Sequence, residues 1–171
     1  MMYPDSDNCN LIMSDKRVEL GVLKNPVHFL ALGFGAGCSP KMPGTVGSLV
    51  GVVLYVFLQH LDLLVYGIVT LLLFLAGIWL CGRTSRDLGV ADHPAIVWDE
   101  IVGYLVTMLA APPGWIWPVT GFFLFRVFDI SKPWPVNWAD KRVSGGLGIM
   151  LDDLLAGIYA LLILQIIAGM L

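Results

Sequence analysis

The chain has 171 residues, enough for one domain; it is 57% hydrophobic, only 13% charged, and carries a net charge of −3. A soluble domain is roughly a quarter charged, so this chain lacks the polar groups to cover a soluble surface, and its acidity excludes the general basic field that nucleic acid requires. Its three cysteines (Cys9, Cys38, Cys81) and three histidines (His28, His60, His93) are dispersed, with no spacing suited to a sulfur-bound metal.

Residues 1–24 are polar and mixed in charge and are expected to form a flexible cytoplasmic leader. No apolar core follows a basic start there, so no secretory signal is read. Residues 25–171 are expected to form one membrane-embedded domain. The stretch 27–37 reads as an interfacial or re-entrant segment. The stretch 42–61 has no Asp, Glu, Lys or Arg and opens on Pro43 and Gly44, which places its helix start near Thr45. Residues 63–80 are uncharged and long enough to cross a bilayer core, which takes about 20 apolar residues. The long run 101–125 is broken by Ala111-Pro112-Pro113-Gly114, and two prolines with a glycine end a helix. That predicts helices over 96–111 and 115–129, with Trp115 and Trp117 at the membrane interface, a depth that tryptophan favours. The last apolar run is 154–171. The expected fold is all-α: a compact helical integral membrane protein with about five membrane helices, some short or re-entrant.

The basic residues sort by side. Lys16, Arg17, Lys24 and Lys41 precede the first span, Arg83 and Arg86 follow the second, and Arg126, Lys132, Lys141 and Arg142 lie between the fourth and fifth. The opposite loops, 59–62 and 111–117, contain no Lys or Arg. The positive-inside rule makes the three basic loops cytoplasmic.

Four constellations could carry chemistry. Asp99 and Glu100 open an otherwise apolar helix, and carboxylates at membrane depth are costly and usually functional. Helix-dipole electrostatics explain one such acid better than two. Gly103, three residues on, would let another helix pack against the acid face. Arg126 and Asp129 share a helix face at i, i+3 spacing, and Lys132 follows, held before Pro133 and Pro135. Asp152 and Asp153 are read as a second acidic pair opening an apolar helix, approached through Gly145, Gly146 and Gly148. Under the topology above, these acids converge on the cytoplasmic face. Lys41, Thr45 and Ser48 lie in a loop leading into a helix, and helix N-termini bind phosphate through free amides. Hard oxygen ligands of this kind suit Mg²⁺, and cations beside them at a bilayer suggest a phosphorylated lipid head group.

These motifs resemble the phosphatidylglycerophosphatase A family. The resemblance rests on Lys41-x-Pro43-Gly44-Thr45-x-Gly47-Ser48, on Asp92 with Ile96-Val97-Trp98-Asp99-Glu100-x-x-Gly103, on Phe125-Arg126-x-Phe128-Asp129-Ile130-x-Lys132-Pro133-x-Pro135, and on Gly145-Gly146-x-Gly148-Ile149-Met150-x-Asp152-Asp153-x-x-Ala156-Gly157. It implies an all-helical, Mg²⁺-dependent phosphatase of the bacterial inner membrane, and the topology above is expected to face its active site to the cytoplasm. The implied reaction removes the terminal phosphate of phosphatidylglycerophosphate, giving phosphatidylglycerol and inorganic phosphate.

The chain has no Cys-x5-Arg, no Asp-x-Asp and no histidine phosphatase pattern. That leaves attack by a metal-activated water. On this reading Asp99, Glu100, Asp129, Asp152 and Asp153 hold Mg²⁺, with one carboxylate free to act as general base. Lys41, Thr45, Ser48, Arg126 and Lys132 hold the phosphate. The expected partners are phosphatidylglycerophosphate and bilayer lipid, with no nucleic acid and no inferable protein partner. A small transporter is the competing reading, but it calls for acids near the midplane, whereas these acids lie at helix ends.

Overall fold

The computed structural model describes residues 20–170. Of the leader expected over 1–24, Leu20–Lys24 forms a 3-10 turn, and the rest lies outside the described residues. Lys16, Arg17 and the side chain of Lys141, counted above for topology, also lie outside them. Seven α-helices follow, with no strand among the described residues: α1 (Pro26–Ala31), α2 (Pro43–Leu58), α3 (Leu63–Leu88), α4 (Trp98–Thr107), α5 (Ile116–Ser131), α6 (Val136–Arg142) and α7 (Gly145–Met170).

The breaks come where backbone chemistry demands them. The Asn25 side chain caps α1 by accepting from the Val27 amide at 3.0 Å. A left-handed turn at Gly33, Phe34 and Gly35 then returns the chain through the 3-10 turn Ala36–Cys38. This is the stretch expected to be interfacial or re-entrant, and it folds against the start of α4, where the Val97 amide donates to the Ala31 carbonyl. Helix α2 starts at Pro43, two residues before the expected Thr45, because proline at the first helical position has no amide to leave unpaired. Helix α3 runs past residue 80 to a left-handed Gly89 cap. The largest revision is α7. It begins at Gly145, so Asp152 and Asp153 sit two turns inside the helix and do not open it. Helix α6 was not expected at all.

Helix α4 is the axis of the bundle. Nearly every side of it is buried, and it packs on α2, α3, α5 and α7. One apolar cluster gathers Leu80, Trp98, Ile101, Val102 and Met150. A second gathers Tyr55, Tyr66, Tyr104, Phe125 and Leu164. Trp117 joins this second cluster at 9% exposure, packed against neighbouring helices, while Trp115 is 78% exposed. Helices α3 and α7 are long and apolar enough to cross a membrane.

Helices α4 and α7 meet backbone to backbone. A Cβ on Gly103 would stand 2.8 Å from the Asp153 carbonyl oxygen, and one on Gly157 would collide with the Gly103 carbonyl oxygen. Small residues at such crossings allow this approach. We therefore expect Gly157→Ala to lower unfolding stability in detergent by about 1–3 kcal/mol. Gly169→Ala, which has open space around it, should not. An unchanged unfolding midpoint in Gly157→Ala would mean that the helices do not touch there.

Candidate active site

The crossing sets the acids. Glu100 stands three residues before Gly103, and Asp153 stands four before Gly157. Both glycines lie in the contact, so the turns bearing the acids are forced alongside each other. One oxygen from each of Asp99, Glu100 and Asp153 lies within 4.8 Å of the others. Asp99, Asp152 and Asp153 are buried, Asp153 to 4% exposure.

A cavity of about 360 Å³ opens over them. Asp92, Asp99, Glu100, Asp129, Asp152 and Asp153 line it, together with Arg126, Lys132 and the apolar rim residues Met42 and Ile130. The fold thus brings Asp99, Glu100, Asp129, Asp152, Asp153, Arg126 and Lys132 to one place. Lys41, Thr45 and Ser48 do not line the cavity. Their segment contributes Met42, Pro43 and Gly44 instead. Ser48 is fully buried, and its hydroxyl donates back to the Gly44 carbonyl at 2.9 Å, a bond that serine inside a helix commonly makes. Gly44 is required sterically, because a Cβ there would collide with Glu100 Oε1 and stand 3.2 Å from Arg126 Nη1.

Both cations of the cavity already have partners. Arg126 Nη1 pairs with Asp129 Oδ2. Lys132 caps α5 in a left-handed conformation, and its Nζ donates to Asp152 Oδ2 at 2.7 Å and to Asp140 Oδ1 at 2.6 Å. Burial of Lys132 acts to lower its pKa, but the bonds to Asp140 and Asp152 outweigh that and raise it, so the lysine stays cationic. Asp140 comes from α6, and no pattern in the sequence pointed to it. Asp92 sits in the recognised motif, but its place in the cavity follows from the way the loop before α4 folds.

Three buried polar atoms of the cavity residues are left over. Asp99 Oδ1, Glu100 Oε2 and Arg126 Nε have no hydrogen-bond partner among the described residues. Burying such groups unpaired costs free energy. Six carboxylates facing two paired cations form a site that lacks positive charge. Orphaned hard oxygens beside one another are a donor set that fits Mg²⁺.

Comparison with known proteins identifies the chain's relatives. The family model described as phosphatidylglycerophosphatase A matches residues 29–168. A protein of Escherichia coli named phosphatidylglycerophosphatase A is 44% identical over 146 residues, covering 85% of each chain. One of the same name from Haemophilus influenzae is 47% identical over 143 residues, covering 82% of this chain and 88% of its own. A Bacteroides thetaiotaomicron protein named putative phosphatidylinositol-3-phosphatase is 38% identical over 145 residues, covering 80% and 90%. No solved structure is a significant match. The chain belongs to the phosphatidylglycerophosphatase A family.

A site short of positive charge should be stabilised by the ion it accepts. Mg²⁺ at 100 times its Kd should add about 2.7 kcal/mol to unfolding stability. In Asp99→Asn or Asp153→Asn the gain should largely vanish. Thermal unfolding with and without Mg²⁺ checks this, and a flat response in the unsubstituted protein would contradict it.

Proposed function

We propose that this member of the phosphatidylglycerophosphatase A family hydrolyses the terminal phosphomonoester of phosphatidylglycerophosphate. The products are phosphatidylglycerol and inorganic phosphate, so the enzyme serves phosphatidylglycerol synthesis. The observation that carries the reading is the charge of the cavity. A phosphate dianion cannot enter a pocket of six carboxylates whose two cations are already paired unless further positive charge comes with it. Mg²⁺ meets that need.

Asp99, Glu100 and Asp153 are the residues to hold the ion, with Asp129 and Asp152 beside them. Lewis-acid polarisation of phosphoryl oxygens, and a lowered pKa for water, are the chemistry that such an ion supplies. The chain's own groups do the rest. Arg126 and Lys132 turn toward the phosphoryl oxygens and stabilise the charge of the transition state. Gly44, at the start of α2, leaves room for Glu100 and Arg126 to close up against the helix. One carboxylate takes a proton from the attacking water. The water oxygen bonds to phosphorus, the bond from phosphorus to the glycerol oxygen breaks, and that oxygen leaves with a proton. Lys41, exposed next to Met42, contributes to attraction at the mouth.

The membrane reading is part of the proposal. Helices α3 and α7 cross the bilayer, and the shorter α2, α4 and α5 complete a bundle of about five membrane helices. The site opens at the end where Arg83, Arg86, Arg126, Lys132 and Arg142 gather, which the positive-inside rule makes cytoplasmic. The host membrane is then the bacterial inner membrane.

Phosphate release from purified protein tests the function. Asp99→Asn, Asp129→Asn and Asp153→Asn should each cut turnover by about 100-fold or more while the protein still inserts. EDTA should abolish release, and Mg²⁺ should restore it. Arg126→Ala should raise KM as well as lower kcat. Near-normal rates in two of the three carboxylate variants would overturn the site. Faster release from phosphatidylinositol 3-phosphate than from phosphatidylglycerophosphate would reassign the head group.

A further inference from the structure

The cavity is polar within, but its rim is not. Met42 and Ile130 line it, and they are 64% and 67% exposed. They come from neighbouring elements, the approach to α2 and the end of α5, and α2 and α5 pack on each other. Large apolar groups exposed at the mouth of an anion site carry no benefit for a water-soluble ligand.

Ile130 is also the end of a line. Ile116, Val119, Phe123, Val127 and Ile130 are all exposed, and they recur at the three- and four-residue spacing that puts side chains on one face of a helix. From Ile116 to Ile130 the line is roughly 21 Å long at the helical rise. Half of a bilayer's hydrocarbon core is roughly 15 Å, so the line can follow an acyl chain through one leaflet. Helix α3 also exposes apolar residues, among them Leu64, Ile68, Leu72 and Trp79, but no α3 residue lines the cavity. The α5 line ends on Ile130 in the cavity wall, and the exposed apolar face of the neighbouring α2 (Leu49, Val53 and Val56) leads up to Met42 on the other side of the same mouth.

We infer that the α5 face from Ile116 to Ile130 is an acyl-chain track, and that Ile130 and Met42 form the lateral mouth through which a diacyl phospholipid delivers its phosphate. The inference rests on the phosphatase reading above and adds the route and the determinant of lipid over free head group. An acyl chain lying on the track fixes the depth of the glycerol, and so places the terminal phosphate over Asp99, Glu100 and Asp153. A deacylated head group reaches the same carboxylates without that guidance.

The test compares two substrates in mixed micelles: long-chain phosphatidylglycerophosphate and its deacylated, water-soluble head group. In Ile130→Asn and Val127→Asn, kcat/KM on the lipid relative to the head group should fall about tenfold, the scale of one lost apolar contact. On the lipid alone, the loss should appear in KM and not in kcat. Ile130→Leu should restore the ratio. Leu72→Asn, equally exposed on α3, should leave it at the unsubstituted value. An unchanged ratio and KM in both α5 variants, or an equal fall in Leu72→Asn, overturns the track. If the unsubstituted protein releases phosphate from neither substrate, the phosphatase reading itself fails, and the track falls with it.

Discussion

Helices α4 and α7 touch through two glycines where they cross. Gly103 and Gly157 put backbone on backbone, and the acids sit one turn away on each helix. The crossing therefore decides how far apart Glu100 and Asp153 can be, and with them Asp99. Close packing gains dispersion contacts, and those offset the cost of holding like charges together in a buried place. The remaining elements extend this contact. Helix α5 brings Arg126 and Lys132 to its edge, α2 presses Gly44 onto Glu100, and α6 ties Lys132 down through Asp140.

Charge then links structure to chemistry. Each cation in the cavity neutralises one carboxylate of the lining and leaves the others without compensation. Buried oxygens with no donor are an expense that folded chains normally avoid, and here they face a cavity and each other. The arrangement is costly as structure and useful as a ligand set. Arg126 belongs to the same pattern: its Nη1 pairs with Asp129, while its buried Nε has no partner among the described residues.

Much of this was legible in the sequence, for physical reasons. Paired acids in an apolar chain cannot be ignored, so Asp99, Glu100, Asp152 and Asp153 declared themselves. Pro112 and Pro113 marked the break between α4 and α5, although α4 already ends at Thr107, short of the expected residue 111, and the chain turns left-handed at Ala110 before the prolines. The start of α7 was hidden because Gly145, Gly146 and Gly148 read as a loop on propensity. Packing overrides that preference: a Cβ on Gly146 would collide with the Ile78 carbonyl oxygen, so Gly146 belongs to a close crossing with α3. Ser48 looked like a free hydroxyl, and only its place inside α2 shows that it turns back on Gly44. Lys132 stood out as a cation, but its partner Asp140 lies on a helix of seven residues, too short for any periodicity to reveal.

The central claim is that Asp99, Glu100 and Asp153 together hold a divalent ion. Anomalous diffraction from crystals of the protein loaded with Mn²⁺ tests it directly. The account predicts a peak within coordination distance of carboxylate oxygens from all three residues, at an Mn²⁺ concentration that supports phosphate release. A peak confined to other residues, or none at that concentration, would contradict it.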